Sequence, residues 1–433
     1  MPNNLPLNWC ECKLGDVFHT SSGGTPSRRE TAYYGGNIPW LKSGELNDGI
    51  ISEAEEFITK EGLENSSAKI FPKGSILLAL YGATVGKIGI LDFDSATNQA
   101  VCCIYSNPYF DKNLLFYYLL SQRKHLINQG KGGAQPNISQ DIVKNIVLPL
   151  PPLAEQERIV EKIEALFAGI DEGVEHLKSA QAQIKQYRQS VLKSAFCFQN
   201  NYFCYLKDYI EKPRYGTSKK CSIDLKNSTP VYRIPNINFL KGIIDKSELK
   251  YAVFDDTEKK SLSLQKGDIL LIRSNGSLNL VGRAALIHDN DINGLFAGYL
   301  IRIRVADYTI LNPEFLLYYL NSPKARTYIE EKAKSTSGVN NINSEEISEL
   351  EIPLPTLPEQ QRIVEEIEKR FAVADELEKA VNDGLEKADK LKQSILKKAF
   401  EGKLVAQNPN DEPASVLLER IKKEQKPTKG KKK

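Results

Sequence analysis

Residues Gly82 to Lys87 read Gly-Ala-Thr-Val-Gly-Lys, which is similar to the phosphate-binding loop of nucleotide-hydrolysing proteins. That loop has four residues between its two glycines, so that backbone N–H groups surround the phosphates, and a Ser or Thr after the lysine to bind Mg²⁺. Here three residues separate the glycines, and Ile88 follows the lysine. Both requirements fail, so we do not expect this segment to bind a nucleotide.

A second segment, Asn107 to Phe110, reads Asn-Pro-Tyr-Phe and is similar to the tetrapeptide of adenine methyltransferases. The second proline of that tetrapeptide is missing, and no glycine-rich cofactor loop follows an early predicted strand. Because methyl transfer needs a bound cofactor, we expect no methyltransferase activity from this chain.

The acidic and metal-ligating residues do not form a recognisable metal site. Asp255, Asp256 and Glu258 lie in one short segment, whereas carboxylates that hold divalent cations normally come from separate elements, so a solvated turn is the simpler interpretation. Neither the histidines nor the paired cysteines have zinc-binding spacing; they are His19, His125, His176, His288, Cys10 with Cys12, and Cys102 with Cys103. We therefore expect neither a nuclease centre nor a metal on this chain.

Length and composition favour two globular domains joined by helices. The chain has 433 residues, of which 41% are hydrophobic and 26% charged, a balance typical of a folded protein. There is no run of about 18 apolar residues and no basic N-terminal start, so we expect a cytoplasmic protein. The seven cysteines have no regular spacing, and we expect reduced thiols.

Positive charge is concentrated at the C-terminus. The segment from Arg420 to Lys433 carries eight basic residues and one acidic residue, a net charge of +7. Because the formal net charge of the whole chain is +3, the remaining residues together carry −4. If such a protein binds nucleic acid, the slightly negative part of the chain must concentrate its Lys and Arg residues in particular loops, because attraction to phosphates supplies most non-specific affinity. For the basic tail itself, a solvated segment is the simpler interpretation.

One segment of the chain occurs twice. The sequence PLPPLAEQERIVEKIEALF from Pro149 matches PLPTLPEQQRIVEEIEKRF from Pro353, and QSVLKSAF from Gln189 matches QSILKKAF from Gln393, at the same offset of 204 residues. The blocks that precede the two copies share an order of predicted strands, turns and short helices but have diverged. We infer two domains of one fold with different surfaces, each followed by a copy of the same helix.

Each copy is predicted to be one long helix after a proline-rich lead-in. In the first copy, apolar residues recur every seven positions, which is typical of a coiled coil; they are Ile163, Ile170, Leu177, Ile184 and Val191. The second copy keeps Ile367, Val381 and Ile395, with Leu377 and Leu391 interleaved. A helix from Glu155 to Phe196 is about 60 Å long. We expect the two helices to pair with each other in antiparallel orientation.

Several further segments resemble the specificity subunits of type I restriction-modification enzymes. Besides the repeated element, they are SGGTPSR from Ser22, YYGGNIPWL from Tyr33, TVGKIGI from Thr84, TNQAV from Thr97 and AFEGKLVAQNPNDEPASVLLERI from Ala399. The resemblance spans nearly the whole chain. It implies an α+β protein with a pseudo-twofold internal repeat, in which two mixed α/β target-recognition domains (1–150 and 201–354) are separated by two long antiparallel coiled-coil helices (151–200 and 355–401), with a tail at 402–433.

The resemblance also implies the function. In that family, each globular block recognises one half of a split, asymmetric DNA sequence, and the helical regions bind two modification subunits. We therefore expect a non-catalytic subunit that binds double-stranded DNA and assembles with modification and restriction (translocase) subunits, without a membrane. S-adenosylmethionine, ATP and Mg are expected on the partner subunits, and no cofactor on this chain. Within the helical segments we expect partner contacts at Gln156, Arg158, Phe196, Gln360, Arg362 and Phe400.

Loops rich in small polar and basic residues are the candidates for DNA contact, because base edges are recognised by hydrogen-bonding groups and phosphates by Lys and Arg. In the first domain the candidates are Thr25, Arg28, Arg29, Tyr33, Lys131, Gln135 and Asn137. In the second domain they are Lys212, Arg214, Tyr215, Lys219, Lys220, Arg233, Arg273, Asn275, Ser277, Asn340 and Asn341. Tyr33, Tyr34 and Trp40 could stack on bases or sugars, or pack in the core instead.

Two other functional classes stay open at this point. A stand-alone DNA-binding regulator would bind DNA equally well without partner subunits. A coiled-coil assembly scaffold would show no salt-dependent DNA binding at all.

Overall fold

The computed structural model of the chain describes residues 5–129, 137–197, 203–223, 228–333, 335–336 and 338–425. The chain forms two compact units. The first unit combines Met1–His176 with Gly384–Lys433, and the second unit is Leu177–Asp383. Each unit therefore contains part of both copies of the repeated segment.

The part of the chain that precedes the first long helix is a mixture of short strands and helices. Its strands are β1 (Cys10–Lys13), β2 (Thr20–Ser22), β3 (Tyr34–Leu41), β4 (Ile50–Ile51), β5 (Glu56–Ile58), β6 (Ile70–Phe71), β7 (Ile76–Ala79), β8 (Ile88–Leu91), β9 (Ser95–Thr97), β10 (Val101–Ile104) and β11 (Val147–Leu150). Its helices are α1 (Leu14–Val17), α2 (Lys60–Glu64), α3 (Lys112–Gln129) and α4 (Gln140–Lys144), and the long helix α5 (Leu153–Ala195) follows.

The part between the two long helices has a similar composition. Its strands are β12 (Phe203–Tyr205), β13 (Arg214–Tyr215), β14 (Thr229–Tyr232), β15 (Ile237–Asn238), β16 (Ile243–Ile244), β17 (Lys250–Ala252), β18 (Ile269–Ile272), β19 (Ser274–Asn275), β20 (Ala284–Leu286), β21 (Leu295–Phe296), β22 (Leu300–Ile303), β23 (Ser335–Thr336), β24 (Val339–Asn341) and β25 (Glu351–Pro353). Its helices are α6 (Asp256–Ser261), α7 (Pro313–Leu320), α8 (Pro323–Lys332) and α9 (Ser344–Ser348), followed by the long helix α10 (Leu357–Phe400) and by α11 (Ala414–Gln425). This mixed content agrees with the predicted α+β class.

The central sheet of the first unit has the strand order β2-β10-β7-β8-β4. Its middle strand β7 is buried throughout, and alternate side chains enter two different cores. Ile76 and Leu78 pack in the core that contains α3 and α5, whereas Leu77 and Ala79 pack in a second core on the other face. Because successive side chains of a strand point to opposite faces, an unbroken apolar run is needed to fill both cores.

The second unit uses the same arrangement. Its main sheet has the order β13-β22-β18-β20, and β18 is buried on both faces. Ile269 and Leu271 lie in the core that contains α7 and the end of α5, and Leu270 and Ile272 lie in a separate core. In both units a second, smaller sheet lies beside the main one, with the orders β5-β3-β9-β6 and β17-β14-β21.

The long helices agree closely with the predicted bounds and contact each other inside each unit. In the first unit, Lys392 of α10 forms an ion pair with Asp171 of α5. In the second unit, Arg188 of α5 lies 2.7 Å from Asp375 of α10. Among the described residues, no helix combines the length and apolar composition needed to span a membrane.

The packing of α10 corrects part of the predicted coiled-coil seam. Leu377 and Leu391 were expected on the seam but are each 51% exposed. Ile367, Ala374, Val381 and Ile395 of this helix are buried at multiples of seven residues, and Val364 and Phe371 are buried between them. Two positions per heptad are therefore buried from Val364 to Ala374, whereas Leu377 and Leu391 farther along the helix are not.

Candidate functional site

A cluster of polar side chains forms in the second unit where β13, β19 and β24 meet. The Arg273 guanidinium stacks on the Tyr215 ring, with its carbon 4.4 Å from the ring centroid. Its Nε donates to the Asn341 Oδ1 atom at 3.1 Å. The Tyr215 hydroxyl in turn accepts from the Ser344 backbone N–H at 2.9 Å. With Asn340, these residues are called the Arg273 cluster below.

Backbone pairing explains why the cluster forms. Strand β24 pairs with β19 so that Ser274 lies opposite Asn341 and Asn275 opposite Asn340. The Asn340 amide donates to the Gly276 carbonyl at 3.0 Å and holds the turn that follows β19. In that turn the Asn275 side chain accepts from the Ser277 N–H at 2.8 Å, and Ser277 is exposed. The Asn340 and Asn275 amides therefore hold the turn beside the cluster.

The geometry leaves the terminal edge of the Arg273 guanidinium without a hydrogen-bond acceptor among the described residues. Stacking on Tyr215 and the hydrogen bond from Nε fix the plane of the guanidinium, while its two terminal nitrogens form no hydrogen bond with any described residue. A guanidinium presented in this way can donate two parallel hydrogen bonds to a planar acceptor pair such as the O6 and N7 atoms of guanine. Prior fixation lowers the entropy that binding would otherwise cost.

The other basic candidates of the second unit differ in how firmly they are held. Lys219 pairs with Glu258 at 2.6 Å, and Arg214 donates to the Ser261 carbonyl at 2.9 Å. Lys212 and Lys220 are exposed and form no hydrogen bond or ion pair with a described residue. Arg233 donates to the Glu248 carbonyl at 2.9 Å.

In the first unit, Arg28 is held between two aromatic rings and a carboxylate. Its guanidinium carbon lies 4.3 Å from the Tyr34 centroid and 5.0 Å from that of Trp40, and Nη2 lies 2.7 Å from Glu56. The hydrogen bond from Arg28, aided by a second one from Lys42, keeps the pKa of Glu56 below its usual range. Arg28 is therefore already neutralised, and DNA contact would require it to exchange Glu56 for a phosphate or a base.

Trp40 is buried and serves the core. It is 1% exposed, and its indole N–H donates to the Gly24 carbonyl at 2.9 Å. The core-packing alternative therefore applies to Trp40, and base stacking by it is excluded in this conformation. Tyr33 and Tyr34 are half-buried, and Arg29 and Asn137 are exposed. The candidates Lys131 and Gln135 lie outside the described residues.

Three polar residues beside the first-unit candidates were not predicted. Gln99 contacts Thr25, Gln140 contacts Ser22, and Lys69 donates to Ser21 at 3.0 Å. Gln140 corresponds to Ser344 of the second unit, because each residue begins a short helix and hydrogen-bonds a side chain of a β-strand. The repeat offset of 204 residues relates the two positions and could have identified Gln140 from the sequence.

The segments that resembled catalytic motifs have structural roles. Gly82 and Gly86, with φ of 87° and 80°, form the turn between β7 and β8. The Asn107 amide donates to the Val17 carbonyl at 2.9 Å. Asp255 caps helix α6 by accepting from the Glu258 N–H at 2.8 Å. No group of three or more potential metal ligands occurs in the part of the chain that the structure describes.

A family model described as the type I restriction modification DNA specificity domain matches residues 6–179 and 203–387. The chain belongs to this specificity family. The EcoKI specificity subunit of Escherichia coli K12 is 29% identical over 458 residues, which cover 99% of this chain and 98% of that subunit. The EcoBI specificity subunit of Escherichia coli is 31% identical over 453 residues, covering 96% and 89%.

A solved structure shows the same fold. A chain from a study of complex assembly and conformational transition of the type I R-M system has a TM-score of 0.68 at 22% identity, covering 93% of this chain and 100% of that one. Specificity subunits of type I restriction enzymes are non-catalytic and recognise DNA, so the expected assignment to a non-catalytic DNA-recognition subunit is confirmed.

Within this specificity-family fold, four of the residues expected to contact partner subunits are internal. Gln156 and Gln360 are fully buried. The Gln156 side-chain oxygen accepts from the Asp111 backbone N–H at 2.8 Å, and the Gln360 side-chain oxygen accepts from the Asn312 backbone N–H at 2.8 Å. Each amide also donates to a proline carbonyl in the lead-in to its helix. The prediction that these glutamines contact a partner is therefore wrong for this conformation, because their amide groups form hydrogen bonds within their own units.

The two phenylalanines pack in the cores of the units. Phe400 stacks edge-on against Tyr118 at 4.8 Å between ring centroids, and Phe196 does so against Tyr319 at 5.2 Å. They are 9% and 4% exposed, respectively, so the expected partner contact is corrected here as well. Arg158 is partly exposed, and Arg362 is exposed.

Proposed function

We propose that this chain is the sequence-specific DNA-binding subunit of a type I restriction-modification enzyme and that it recognises a bipartite, asymmetric target. Each unit would contact one half of the target. The observation that carries this proposal is the Arg273 cluster, in which the Arg273 guanidinium is held by Tyr215 and Asn341 with its terminal nitrogens unoccupied. In the first unit, the corresponding role falls to the segment around Thr25 and Arg28.

A pseudo-twofold internal repeat is supported by matched contacts in the two units. The Tyr118 hydroxyl donates to the Val147 carbonyl, and the Tyr319 hydroxyl donates to that of Glu351. The paired glutamines and phenylalanines described above follow the same pattern. Two recognition units of one fold with different polar surfaces fit a target whose two halves differ in sequence.

Antiparallel pairing of the long helices as a coiled coil is part of the proposal. The ion pair of Asp171 with Lys392 in the first unit corresponds to that of Asp375 with Arg188 in the second. At the repeat offset, Asp171 is related to Asp375, and Arg188 to Lys392. In each unit, an early position of one helix thus contacts a late position of the other.

The remaining parts of the proposal concern partners and location. Two modification subunits and the restriction subunits would supply the chemistry and hold S-adenosylmethionine, ATP and Mg, and this chain would position them on DNA. A cytoplasmic location and the division into five segments stay predictions.

Mapping of methylated adenines tests this function. A host that carries the modification and restriction subunits would be sequenced with and without the gene for this chain. We expect a two-part methylated sequence that occurs only when the chain is present. An unchanged methylation pattern would contradict the proposal, and equally tight DNA binding by the chain alone would favour a stand-alone regulator.

A further inference from the structure

The C-terminal segment covers one face of the first unit. Asp411, whose side chain is 7% exposed, accepts from Arg158 Nη2 at 2.5 Å. The Gln407 amide donates to Glu155 Oε1 at 2.6 Å, and Glu155 is buried. The Arg158 pKa is raised by this hydrogen bond from its guanidinium to Asp411. The tail therefore supplies a carboxylate and an amide to two residues at the start of α5.

Helix α11 completes this cover with apolar contacts. Leu417, Leu418 and Ile421 are buried and join the core of the first unit. The helix lies beside α1 and β1, and its Glu424 contacts the Tyr109 hydroxyl. The tail thus combines polar anchors with an amphipathic helix.

The second unit has the same receptor residues without the cover. At the repeat offset, Glu359 and Arg362 correspond to Glu155 and Arg158, and both are exposed. Glu359 hydrogen-bonds Thr356 at the start of its own helix. The Arg362 guanidinium forms no hydrogen bond or ion pair with any described residue.

An apolar position beside these residues is also uncovered. Gln360 Nε2 donates to the Ile310 carbonyl as Gln156 Nε2 donates to that of Tyr109, so Ile310 is the counterpart of Tyr109. Ile310 is 44% exposed. Ile310, Glu359 and Arg362 together are called the Arg362 face below.

We infer that the Arg362 face binds a segment of a partner polypeptide with the chemistry of residues 407–424: an amide for Glu359, a carboxylate for Arg362, and an amphipathic helix that covers Ile310. The charge of the unpaired Arg362 favours an acidic segment. In the first unit the tail supplies Asp411 to Arg158 and Gln407 to one oxygen of Glu155. The other Glu155 oxygen accepts from the Trp9 indole N–H at 3.0 Å, so the tail accounts for part of this set of contacts. The chain's own tail is already bound at the first unit, where Asp411 is buried, so the second face needs another source.

This inference rests on the proposed internal repeat but not on DNA recognition. Loss of DNA recognition with intact binding at the Arg362 face would refute the proposed function alone. Failure of that binding in a chain that still recognises DNA would refute the inference alone.

The test uses a synthetic peptide of residues 402–425 as the probe, titrated into the full chain by calorimetry. We expect one peptide per chain. Arg362→Ala should weaken binding at least about tenfold, because a charge-assisted pair is lost. The peptide variant Asp411→Asn should weaken binding to the unsubstituted chain to a similar extent and should have little further effect on Arg362→Ala. Lys379→Ala, at an exposed lysine of the same helix, is the control and should leave binding unchanged.

Three results would overturn the inference. The first is no binding at peptide concentrations up to about 1 mM. The second is binding that Arg362→Ala does not weaken, which would locate the peptide elsewhere. The third is concentration-dependent dimerisation of the full chain that Arg362→Ala abolishes, because the occupant would then be a second copy of this chain.

Discussion

Removal of Arg188 should destabilise the second unit more than removal of its counterpart Lys392 destabilises the first. The Arg188 side chain is 4% exposed and its Nη2 lies 2.7 Å from Asp375 and 3.3 Å from Glu378. Its guanidinium carbon is 5.0 Å from the Phe371 centroid. Arg188 therefore joins α5 to α10 through two carboxylates and one ring.

The magnitude follows from burial. Breaking a fully buried ion pair costs about 3–5 kcal/mol, but Asp375 and Glu378 are 47% and 32% exposed and can regain water after Arg188→Ala. Loss of the cation–π contact adds about 0.5–1 kcal/mol. We expect a total of about 2–3 kcal/mol. Lys392 is 27% exposed and Asp171 57% exposed, and Lys392 also lies 5.0 Å from the Phe167 centroid, so Lys392→Ala should cost about 1–1.5 kcal/mol.

Hydrogen exchange followed by mass spectrometry is the suitable assay, because a chain with two units need not unfold in one transition. Peptides from 177–197 and 357–383 report on Arg188→Ala, and peptides from 153–176 and 384–400 report on Lys392→Ala. Global urea unfolding of both variants provides the free energies. Equal costs for the two substitutions, or a cost below about 0.5 kcal/mol for Arg188→Ala, would refute the argument from burial.

Three further predictions concern DNA contact and thiol reactivity. Arg273→Ala should weaken specific DNA binding of the assembled complex by about 1–3 kcal/mol, measured by fluorescence anisotropy; undiminished discrimination among bases would exclude Arg273 from recognition. Joint substitution of Lys212, Arg214, Lys219 and Lys220 by Ala should lower the salt slope of binding by about three, since each phosphate contact contributes about 0.9 and, of the four, Lys219 alone forms an ion pair with a described carboxylate; an unchanged slope would remove this loop from the interface. At pH 8, iodoacetamide should modify the exposed Cys197 far faster than Cys102 or Cys103, because burial raises the pKa of both buried thiols to about 12 and leaves them protonated; equal rates in the folded chain would contradict the described burial.

The long helices were predictable because their signals are local. The prolines before each copy and the seven-residue spacing of apolar residues predicted a helix from Glu155 to Phe196, and α5 spans Leu153–Ala195. Which side chains of α10 are enclosed depends on its neighbours, and Leu377 was therefore placed wrongly on the seam. The central strands also have a local signal, because a strand that is buried on both faces has an unbroken run of apolar residues.

The candidate site was predictable by residue type but not by arrangement. Tyr215, Arg273 and Asn341 were chosen for their chemistry, whereas their proximity depends on pairing between distant strands. The same limit explains the error at Gln156, which was expected to contact a partner because it lies in a helical segment that the family resemblance assigns to partner binding. Its amide instead satisfies backbone groups of its own unit, a role that can be recognised only from the tertiary structure.

Exchange of one recognition block tests the central claim most directly. Residues 201 to 352 would be replaced by the matching block of a relative with a different target, and methylated adenines would be mapped in a host that carries the partner subunits. We predict that one half of the bipartite target changes to that of the relative while the other half is retained. Altered bases in both halves, or an unaltered target in a fully active complex, would contradict recognition by two independent units.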